Sequence, residues 1–259
     1  MNIIDPKEFL PVALEAAKAA RELILSYYGG VFNIETKADQ TPVTVADRGA
    51  EQVIRDTLRN AFPDHGILGE EYGSEIGDTQ FLWLVDPIDG TKSFVKRYGM
   101  FSTQIALMHG GKLILGVSCA PAMNELVWAT HGGGAYDENG RLHVSNVNNI
   151  AQASISTGNI QSLAAGNRWP ALGQILANAD RTRGYGDYYH YHRLAAGQLD
   201  AVIESDVNIL DIAALTLIVT EAGGVFTDLD GIAINLDTRS VLAATPALHA
   251  ALSAKLDPG

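Results

Sequence analysis

The chain has 259 residues, of which 47% are hydrophobic and 19% are charged, and its formal net charge is −12. This composition is typical of a globular protein with one large domain or two closely packed subdomains, and the length is ample for a sizeable core. The negative charge argues against a nucleic-acid backbone or an anionic membrane as a general partner.

The first half of the chain is predicted to form two helices and then a series of strands. Asp5-Pro6 is a typical helix start and Gly29-Gly30 a typical helix end, while Gly110-Gly111 indicates a hairpin turn. The predicted elements are a helix at 5–28, a polar loop at 37–42, a helix from Thr44 to about Ala61, and strands in the runs FLWLV, STQIALMH, KLILGVSCA and ELVWAT.

The second half of the chain alternates between strands and helices. The predicted elements are strands at 155–157, 201–204, 225–227 and 240–244, and helices at 168–179, 189–196, 211–222 and from 245 onward. This mixture predicts layered helices and sheets, with mostly antiparallel strands in the first half.

Cysteine content and the termini bear on the compartment. The single cysteine, Cys119, excludes an internal disulfide and a cysteine zinc cluster, and its apolar strand predicts a buried, inert thiol. The N-terminal residues do not resemble a signal peptide, and no apolar run approaches membrane-spanning length. We therefore expect a cytoplasmic protein that does not bind a membrane.

Acidic residues stand at the ends of predicted elements in four separate stretches. They are Glu70-Glu71 after the run GILG, Asp86 and Asp89 on either side of Pro87-Ile88, Asp47 one turn inside the second helix, and Asp211 at the start of a later helix. Hard divalent cations prefer such oxygen ligands. Each acid also has an ordinary alternative as part of a turn, a helix cap or a solvated pair. The set of four favours a metal site, because an unpaired charge beside apolar residues is costly.

The stretch WLVDPIDGTKS, residues 83–93, combines two of these acids with a sharp change of structure. Pro87 is expected to end the strand because it cannot donate to the sheet, and the turn that follows would return Asp89 to the side of Asp86. Gly90 permits a close backbone approach, and a helix beginning at Thr91 would offer free amides to a phosphate. The stretch could therefore hold a metal with its acids and phosphate oxygens with its amides.

These motifs resemble the inositol monophosphatase superfamily of magnesium-dependent phosphatases. WLVDPIDGT is similar to its first signature, GILGEE to the preceding ligand segment, and ILDIAALTLIVTEAGG to its second signature, with Leu210 where the family usually has Trp. The resemblance covers nearly the whole chain. It implies an α/β layered (α+β) αβαβα sandwich in one compact catalytic domain, 1–259, with an α+β subdomain at 1–145 and an α/β subdomain at 146–259.

The resemblance also implies a ligand set and a mechanism without a phosphoenzyme. Two or three Mg²⁺ ions would be held, the first by Glu70, Asp86 and the Ile88 carbonyl, the second by Asp86, Asp89 and Asp211, and a third by Glu70 through water. Thr91 with Asp47 would orient or deprotonate the attacking water. The amides of Gly90 and Thr91 would hold the phosphate, beside Asp89. A homodimer and lithium sensitivity are further expectations.

Several segments resemble the bacterial histidinol-phosphate phosphatase branch, namely residues 37–51, 62–73 and 183–204. Asp187 and Glu204 would make the leaving-group pocket anionic, which favours a substrate with a cationic amine. The alternative for Asp187 is a helix cap. We expect histidinol phosphate as the substrate, with inositol-1-phosphate or other small phosphate esters as the alternative, and a catalytically silent phosphate-binding relative as a third reading.

Two other patterns imitate functional motifs. The sequence VFTDLDG resembles the nucleophile loop of haloacid-dehalogenase phosphatases, but two hairpin strands with a turn at Asp230-Gly231 are the better interpretation. His190 and His192 lie among aromatic residues, and on a helix their spacing does not bring them face to face. We therefore expect these histidines to contribute to packing.

Overall fold

Alternating layers of helices and sheets make up the computed structural model, which describes residues 5–30, 34–36 and 42–256. The predicted polar loop therefore lies outside the described residues except for Pro42. The helices are α1 Leu10–Tyr28, α2 Val45–Ala61, α3 Thr91–Val95, α4 Ile160–Ala165, α5 Trp169–Asn178, α6 Asp187–Ala195, α7 Ile209–Glu221 and α8 Pro246–Leu256. None of the described helices has the length and hydrophobicity needed to cross a bilayer.

The strands form one small hairpin and two sheets. The hairpin is β1 Ile34–Thr36 with β2 Pro42–Thr44. The first sheet has the order β10-β9-β8-β7-β6-β5-β3-β4 and contains β3 Gly66–Gly69, β4 Gly73–Glu75, β5 Phe81–Asp89, β6 Ser102–His109, β7 Lys112–Ala120, β8 Glu125–Thr130, β9 Gly134–Asp137 and β10 Gly140–Arg141. The second has the order β12-β11-β13-β15-β14 and contains β11 Ser154–Gly158, β12 Arg181–Arg183, β13 Ala201–Ser205, β14 Val225–Thr227 and β15 Ser240–Ala244.

Both faces of each sheet carry hydrophobic residues and are covered by helices. The two sheets and three helical layers make five layers. Helix α2 turns Ala46, Ala50, Ile54 and Leu58 inward at helical spacing, and with α1 it covers one face of the first sheet. Helices α6 and α7 fill the space between the two sheets. The outer face of the second sheet packs against α4, α5 and α8. Helix α7 is buried on nearly all sides because it lies between two sheets.

This architecture confirms the predicted αβαβα sandwich. Among the described strands of the first sheet, only β3 and β5 pair in parallel, which confirms the prediction of a largely antiparallel sheet. The two sheets come from separate halves of the chain, on either side of residues 142–153. The boundary of the subdomains at residue 145 stays a prediction.

The structure changes three details of the predicted elements. The first helix begins as a short 3₁₀ turn, Pro6–Glu8, whose Lys7 amide donates to Asp5 Oδ1 at 3.0 Å, and α1 starts only at Leu10. The helix expected from Asp211 starts at Ile209. Strands β14 and β15 pair as expected, but residues 228–239 connect them, so the turn at Asp230-Gly231 does not form a tight hairpin.

Candidate active site

Two parallel strands bring the first two acids together. Gly69 of β3 lies beside Val85 of β5, so Glu70, the residue after β3, lies at the level of Asp86 within β5. The Glu70 amide donates to the Val85 carbonyl at 3.2 Å, and the carboxyl groups of Glu70 and Asp86 share a hydrogen bond. Asp86 is buried, whereas Glu70 is exposed at the mouth of the site.

A β-bulge, and not the end of the strand, places Asp86 and Asp89 on one side. Asp86 lies opposite Gln104 and Asp89 opposite Ser102, so three steps along β5 match two steps along β6. In a regular strand residues three apart face opposite sides, and the extra residue of the bulge reverses this. The prediction that Pro87 ends the strand is therefore wrong: β5 continues to Asp89, because the irregular register removes the need for a proline N–H.

Asp211 reaches the same point from the second half of the chain. It is the third residue of α7, and its carboxylate accepts from the Asn208 amide at 3.0 Å and from Asn208 Nδ2 at 2.6 Å. Asn208, and not Asp211, is the N-cap of the helix. Carboxylate oxygens of Asp86, Asp89 and Asp211 all lie within 4.8 Å of one another. Three acids from two distant segments thus converge.

Thr91 and Asp47 lie at the edge of this acidic cluster. Asp47 accepts hydrogen bonds from the Thr44 amide at 2.8 Å and from Thr44 Oγ1 at 2.5 Å, so the alternative of a capping box is correct. Its other oxygen lies 3.2 Å from Thr91 Oγ1, which also lies 3.1 Å from the Ile88 carbonyl oxygen. Asp47 therefore serves as a helix cap and as a partner of Thr91.

Gly90 makes the turn between β5 and α3 possible. Its φ of +87° is unfavourable for other residues, and a Cβ there would lie 2.9 Å from the Met100 carbonyl oxygen. Helix α3 begins immediately afterwards at Thr91, as predicted.

Asp187 and Glu204 line the other side of a cavity of about 40 Å³. Its acidic lining consists of Asp89, Asp187, Glu204 and Asp211. Asp187 is not a helix cap, since Gly186 takes that position and Asp187 is the first residue of α6. The alternative in which Asp187 caps the helix is therefore wrong.

Tyr191, His190 and Gly158 fix the Glu204 carboxylate, and sequence reasoning missed all three roles. Tyr191 donates its hydroxyl to Glu204 Oε2 at 2.6 Å, and His190 Nε2 lies 3.1 Å from the same oxygen. Gly158 is the β11 partner of Glu204, and a side chain there would collide with the carboxylate. His190 and His192 are both buried, as the predicted packing role requires, but each also has a polar partner, Glu204 for His190 and Ser118 for His192.

A buried ion pair supports the turn that follows Glu70. Arg55 Nε donates to Glu51 Oε1 at 2.8 Å, and Glu51 accepts from the amides of Glu71 at 2.6 Å and Tyr72 at 3.2 Å. Arg55 also donates to the Gly73 carbonyl at 2.5 Å. The signal in the sequence was the i, i+4 spacing of Glu51 and Arg55 on the apolar face of α2.

The electrostatics of the cavity show an excess of negative charge. Burial, and then the charges of neighbouring acids, raise the pKa values of Asp86 and Asp89 well above their usual range. Burial raises the pKa of Asp211 to about 7 despite its hydrogen bonds from Asn208. Burial and Glu204 raise the pKa of Asp187 to about 6. Such a cluster can bind protons or cations, and its all-oxygen donor set suits a hard divalent cation.

A larger groove elsewhere lacks these properties. It has a volume of about 590 Å³ and lies between α5, α8 and residues 148–151, where its lining contains no carboxylate. Cys119, as predicted, is buried, and burial raises the pKa of its thiol to about 11. The acidic cavity is therefore the best candidate for chemistry among the described residues.

Comparisons with known proteins identify the family of the chain. The model of the inositol monophosphatase family matches residues 5–258. The histidinol-phosphatase of Mycobacterium tuberculosis is 37% identical over 96% of this chain and 98% of its own, and the inositol-1-monophosphatase of Mesorhizobium japonicum is 34% identical over 94% of each. The crystal structure of the extragenic suppressor protein suhB from Bartonella henselae superimposes with a TM-score of 0.90, at 30% identity, over 97% of this chain and 99% of that one. The chain therefore belongs to the inositol monophosphatase family and is a phosphoric monoester hydrolase.

Proposed function

We propose that this protein hydrolyses L-histidinol phosphate to L-histidinol and phosphate in a Mg²⁺-dependent reaction. The observation that carries the proposal is the convergence of Asp86, Asp89 and Asp211 within 4.8 Å, with Glu70 hydrogen-bonded to Asp86. The raised pKa values of these acids fit a site that needs cations to hold its carboxylates ionised.

The proposed ligands are Glu70, Asp86, Asp89, Asp211 and the carbonyl of Ile88. Bound Mg²⁺ ions would supply an activated water and neutralise charge on the phosphoryl group. The Ile88 carbonyl oxygen lies 3.1 Å from Thr91 Oγ1, and the Ile88 amide donates to Asp86 Oδ1 at 3.0 Å. The backbone of the bulge thus orients one ligand while its carbonyl is available as another.

Thr91 and Asp47 are proposed to position the attacking water. The single hydroxyl hydrogen of Thr91 is donated to Asp47 or to the Ile88 carbonyl, which leaves the Thr91 oxygen free to accept a hydrogen bond from water. The amides of Gly90 and Thr91, at the start of α3, would hold phosphate oxygens.

Asp187 and Glu204 support an amino alcohol as the leaving group. Glu204 already accepts hydrogen bonds within the protein, whereas the Asp187 carboxylate makes no hydrogen bond with another described side chain and lines the same cavity. An additional carboxylate of this kind attracts a cationic amine. An uncharged polyol gains no comparable attraction. Histidinol-phosphatases among the relatives are consistent with this choice.

The substrate can be tested with histidinol phosphate and inositol-1-phosphate in the wild type and in Asp187→Asn. We expect the variant to lower kcat/KM for histidinol phosphate by roughly tenfold, equivalent to about 1.4 kcal/mol, and to change kcat/KM for inositol-1-phosphate much less. Phosphate release is measured for both esters. An unchanged ratio of the two rates would remove the anionic-pocket argument, and the same rate with and without Mg²⁺ would contradict metal dependence.

One other substrate has specific support. The inositol-1-monophosphatase among the relatives makes inositol-1-phosphate, or a range of small phosphate esters, the alternative substrate. The third reading, a catalytically silent phosphate-binding relative, does not agree with membership in the phosphoric monoester hydrolases, and such a protein would release no phosphate from any ester. The cytoplasmic location and the homodimer stay predictions.

The pH dependence of metal binding provides a further prediction. Because folding raises the acid pKa values above their unfolded values near 4, protonation stabilises the folded metal-free protein, and this stabilisation is lost as the pH rises through about 7. Mg²⁺ replaces those protons. The increase in melting temperature caused by Mg²⁺ should therefore be several degrees larger at pH 8 than at pH 6.

The measurement compares melting curves with EDTA and with Mg²⁺ at each pH. Burial lowers the pKa values of His65, His192 and His249. Deprotonation of these histidines therefore stabilises the folded protein as the pH rises towards about 6.5, which is opposite to the effect of the acids. These histidines are present in both samples, so their effect cancels in the difference. A difference that does not depend on pH would contradict the prediction.

A further inference from the structure

A line of buried polar side chains runs across the first sheet, away from the acidic cavity. We call it the polar seam; its members are Ser102, Gln104, Ser118 and His192. Gln104 lies opposite Asp86 on the sheet, and Ser118 lies opposite Gln104, so the seam crosses from β5 through β6 to β7. It ends at His192 of α6.

Each member of the polar seam is within hydrogen-bonding distance of the next. Ser102 Oγ lies 3.3 Å from Asp89 Oδ2, and Gln104 Nε2 lies 2.7 Å from Ser102 Oγ. Gln104 Nε2 also lies 3.0 Å from Ser118 Oγ. His192 Nε2 lies 2.8 Å from Ser118 Oγ, and its Nδ1 lies 3.1 Å from Glu125 Oε2. The seam therefore connects Asp89 to Glu125 at the far end.

The neighbourhood of the polar seam is apolar. The same face of the sheet carries Leu84 and Ala106, which pack against Ala213 and Ala214 of α7. All four seam residues are at most 1% exposed, and the Oε1 atom of Gln104 has no hydrogen-bond partner among the described residues. A buried polar atom without a partner costs about 1–3 kcal/mol. Apolar side chains would pack this face more stably, so stability alone does not account for the seam.

The donors and acceptors fix the direction of the hydrogen bonds. The Gln104 Nε2 group can only donate hydrogen bonds, so the hydroxyl oxygens of Ser102 and Ser118 both accept from it. The hydroxyl hydrogen of Ser102 is then directed to Asp89, and that of Ser118 to His192. With Nδ1 donating to Glu125, the neutral imidazole of His192 accepts at Nε2 from Ser118. Burial lowers the pKa of His192 and thus favours this form.

We propose that the polar seam positions the Asp89 carboxylate as a metal ligand, and that His192, which touches no proposed ligand, thereby sets the affinity of the site for Mg²⁺. The inference rests on the proposed function in one respect, namely that Asp89 binds the metal. The Ser102 hydroxyl occupies one lone pair of Asp89 Oδ2 and so orients the remaining ones. Groups that orient a ligand in this way commonly change metal affinity by 10–100-fold when they are removed.

The test measures Mg²⁺ binding without substrate, by isothermal titration calorimetry and by the rise in melting temperature with Mg²⁺ concentration. We expect Ser102→Ala to weaken binding roughly tenfold, and His192→Phe to weaken it roughly threefold or more. His192→Gln keeps an acceptor near the position of Nε2 and should bind Mg²⁺ within about twofold of the wild type. If His192 served only for packing, Phe would be tolerated better than Gln.

A matched control and a second variant protect this test against indirect effects. Thr216→Val removes another buried hydroxyl, which donates to the Ile212 carbonyl at 2.8 Å, and should leave Mg²⁺ affinity unchanged. If His192→Phe does not fold, Ser118→Ala breaks the seam at the neighbouring position and should weaken binding. If Ser102→Ala and Ser118→Ala bind Mg²⁺ with wild-type affinity, the inference about the polar seam is wrong, and the proposed function is unaffected. A wild-type protein that binds no Mg²⁺ would instead overturn the proposed function.

Discussion

Replacement of Asp89 by asparagine should abolish phosphate release while the protein stays folded. Asp89 lies within 4.8 Å of the carboxylates of Asp86 and Asp211, with which it would hold the second of the two proposed ions. The amide of asparagine keeps the size of the side chain but loses its charge and one acceptor oxygen. We expect kcat/KM to fall by at least about a thousandfold, which corresponds to about 4 kcal/mol of transition-state stabilisation.

The same variant should be more stable than the wild type in the absence of metal. Burial and the negative charges of Asp187 and Asp211 raise the pKa of Asp89, which shows that its ionised form is unfavourable in the folded protein. We expect a rise of a few degrees in the melting temperature in EDTA, and a smaller gain when Mg²⁺ is added. Asp180→Asn, at an exposed aspartate outside the cavity, is the control and should change neither quantity. Full activity in Asp89→Asn would end the two-ion proposal.

The parts of the site that depend on short stretches of sequence were predictable. The sequence WLVDPIDGT contains two carboxylate ligand candidates, the glycine with positive φ and the start of α3 within nine residues. The residue types within such a stretch determine its turn, its helix start and the ligand atoms that it can offer. The helical periodicity of α2 and α7 was equally local, and both helices lie within two residues of their predicted bounds.

The error at Pro87 has a physical origin. Proline cannot donate to a sheet, so the local rule favours a strand end. Whether a strand continues past proline depends on its neighbour, and β6 accommodates it with a bulge in which Thr103 Oγ1 donates to the Pro87 carbonyl at 2.8 Å. No feature of residues 83–93 contains this information.

The residues that sequence reasoning missed act through pairs that are distant in the chain. Gly158 matters only because β11 lies beside β13, which places it against Glu204. Glu51 acts on the amides of Glu71 and Tyr72, twenty and twenty-one residues later. The polar seam lies on β6, β7 and α6 and connects Asp89 of β5 to Glu125 of β8. A single sequence gives the residue types, but the contacts that assign their roles arise only when the sheets assemble.

Thr91 combines a local and a distant contact, which makes it the sharpest test of how water is activated. Its hydroxyl lies 3.1 Å from the Ile88 carbonyl, three residues earlier, and 3.2 Å from Asp47, which comes from α2. Burial raises the pKa of Asp47 in spite of the hydrogen bonds from Thr44 and Thr91. In the proposed mechanism, Asp47 would accept the hydroxyl proton of Thr91 while the Thr91 oxygen takes a proton from the attacking water.

Thr91→Val keeps the shape of threonine and removes only the hydroxyl, so it should lower kcat by about 10²–10³-fold and change KM much less. Thr91→Ser keeps the hydroxyl and should retain kcat within roughly tenfold of the wild type. Steady-state kinetics at saturating Mg²⁺ separate the two parameters. An increase in KM at constant kcat in Thr91→Val would assign the hydroxyl to substrate binding. Equal losses in the valine and serine variants would show that packing around Thr91, and not its contact with Asp47, controls the rate.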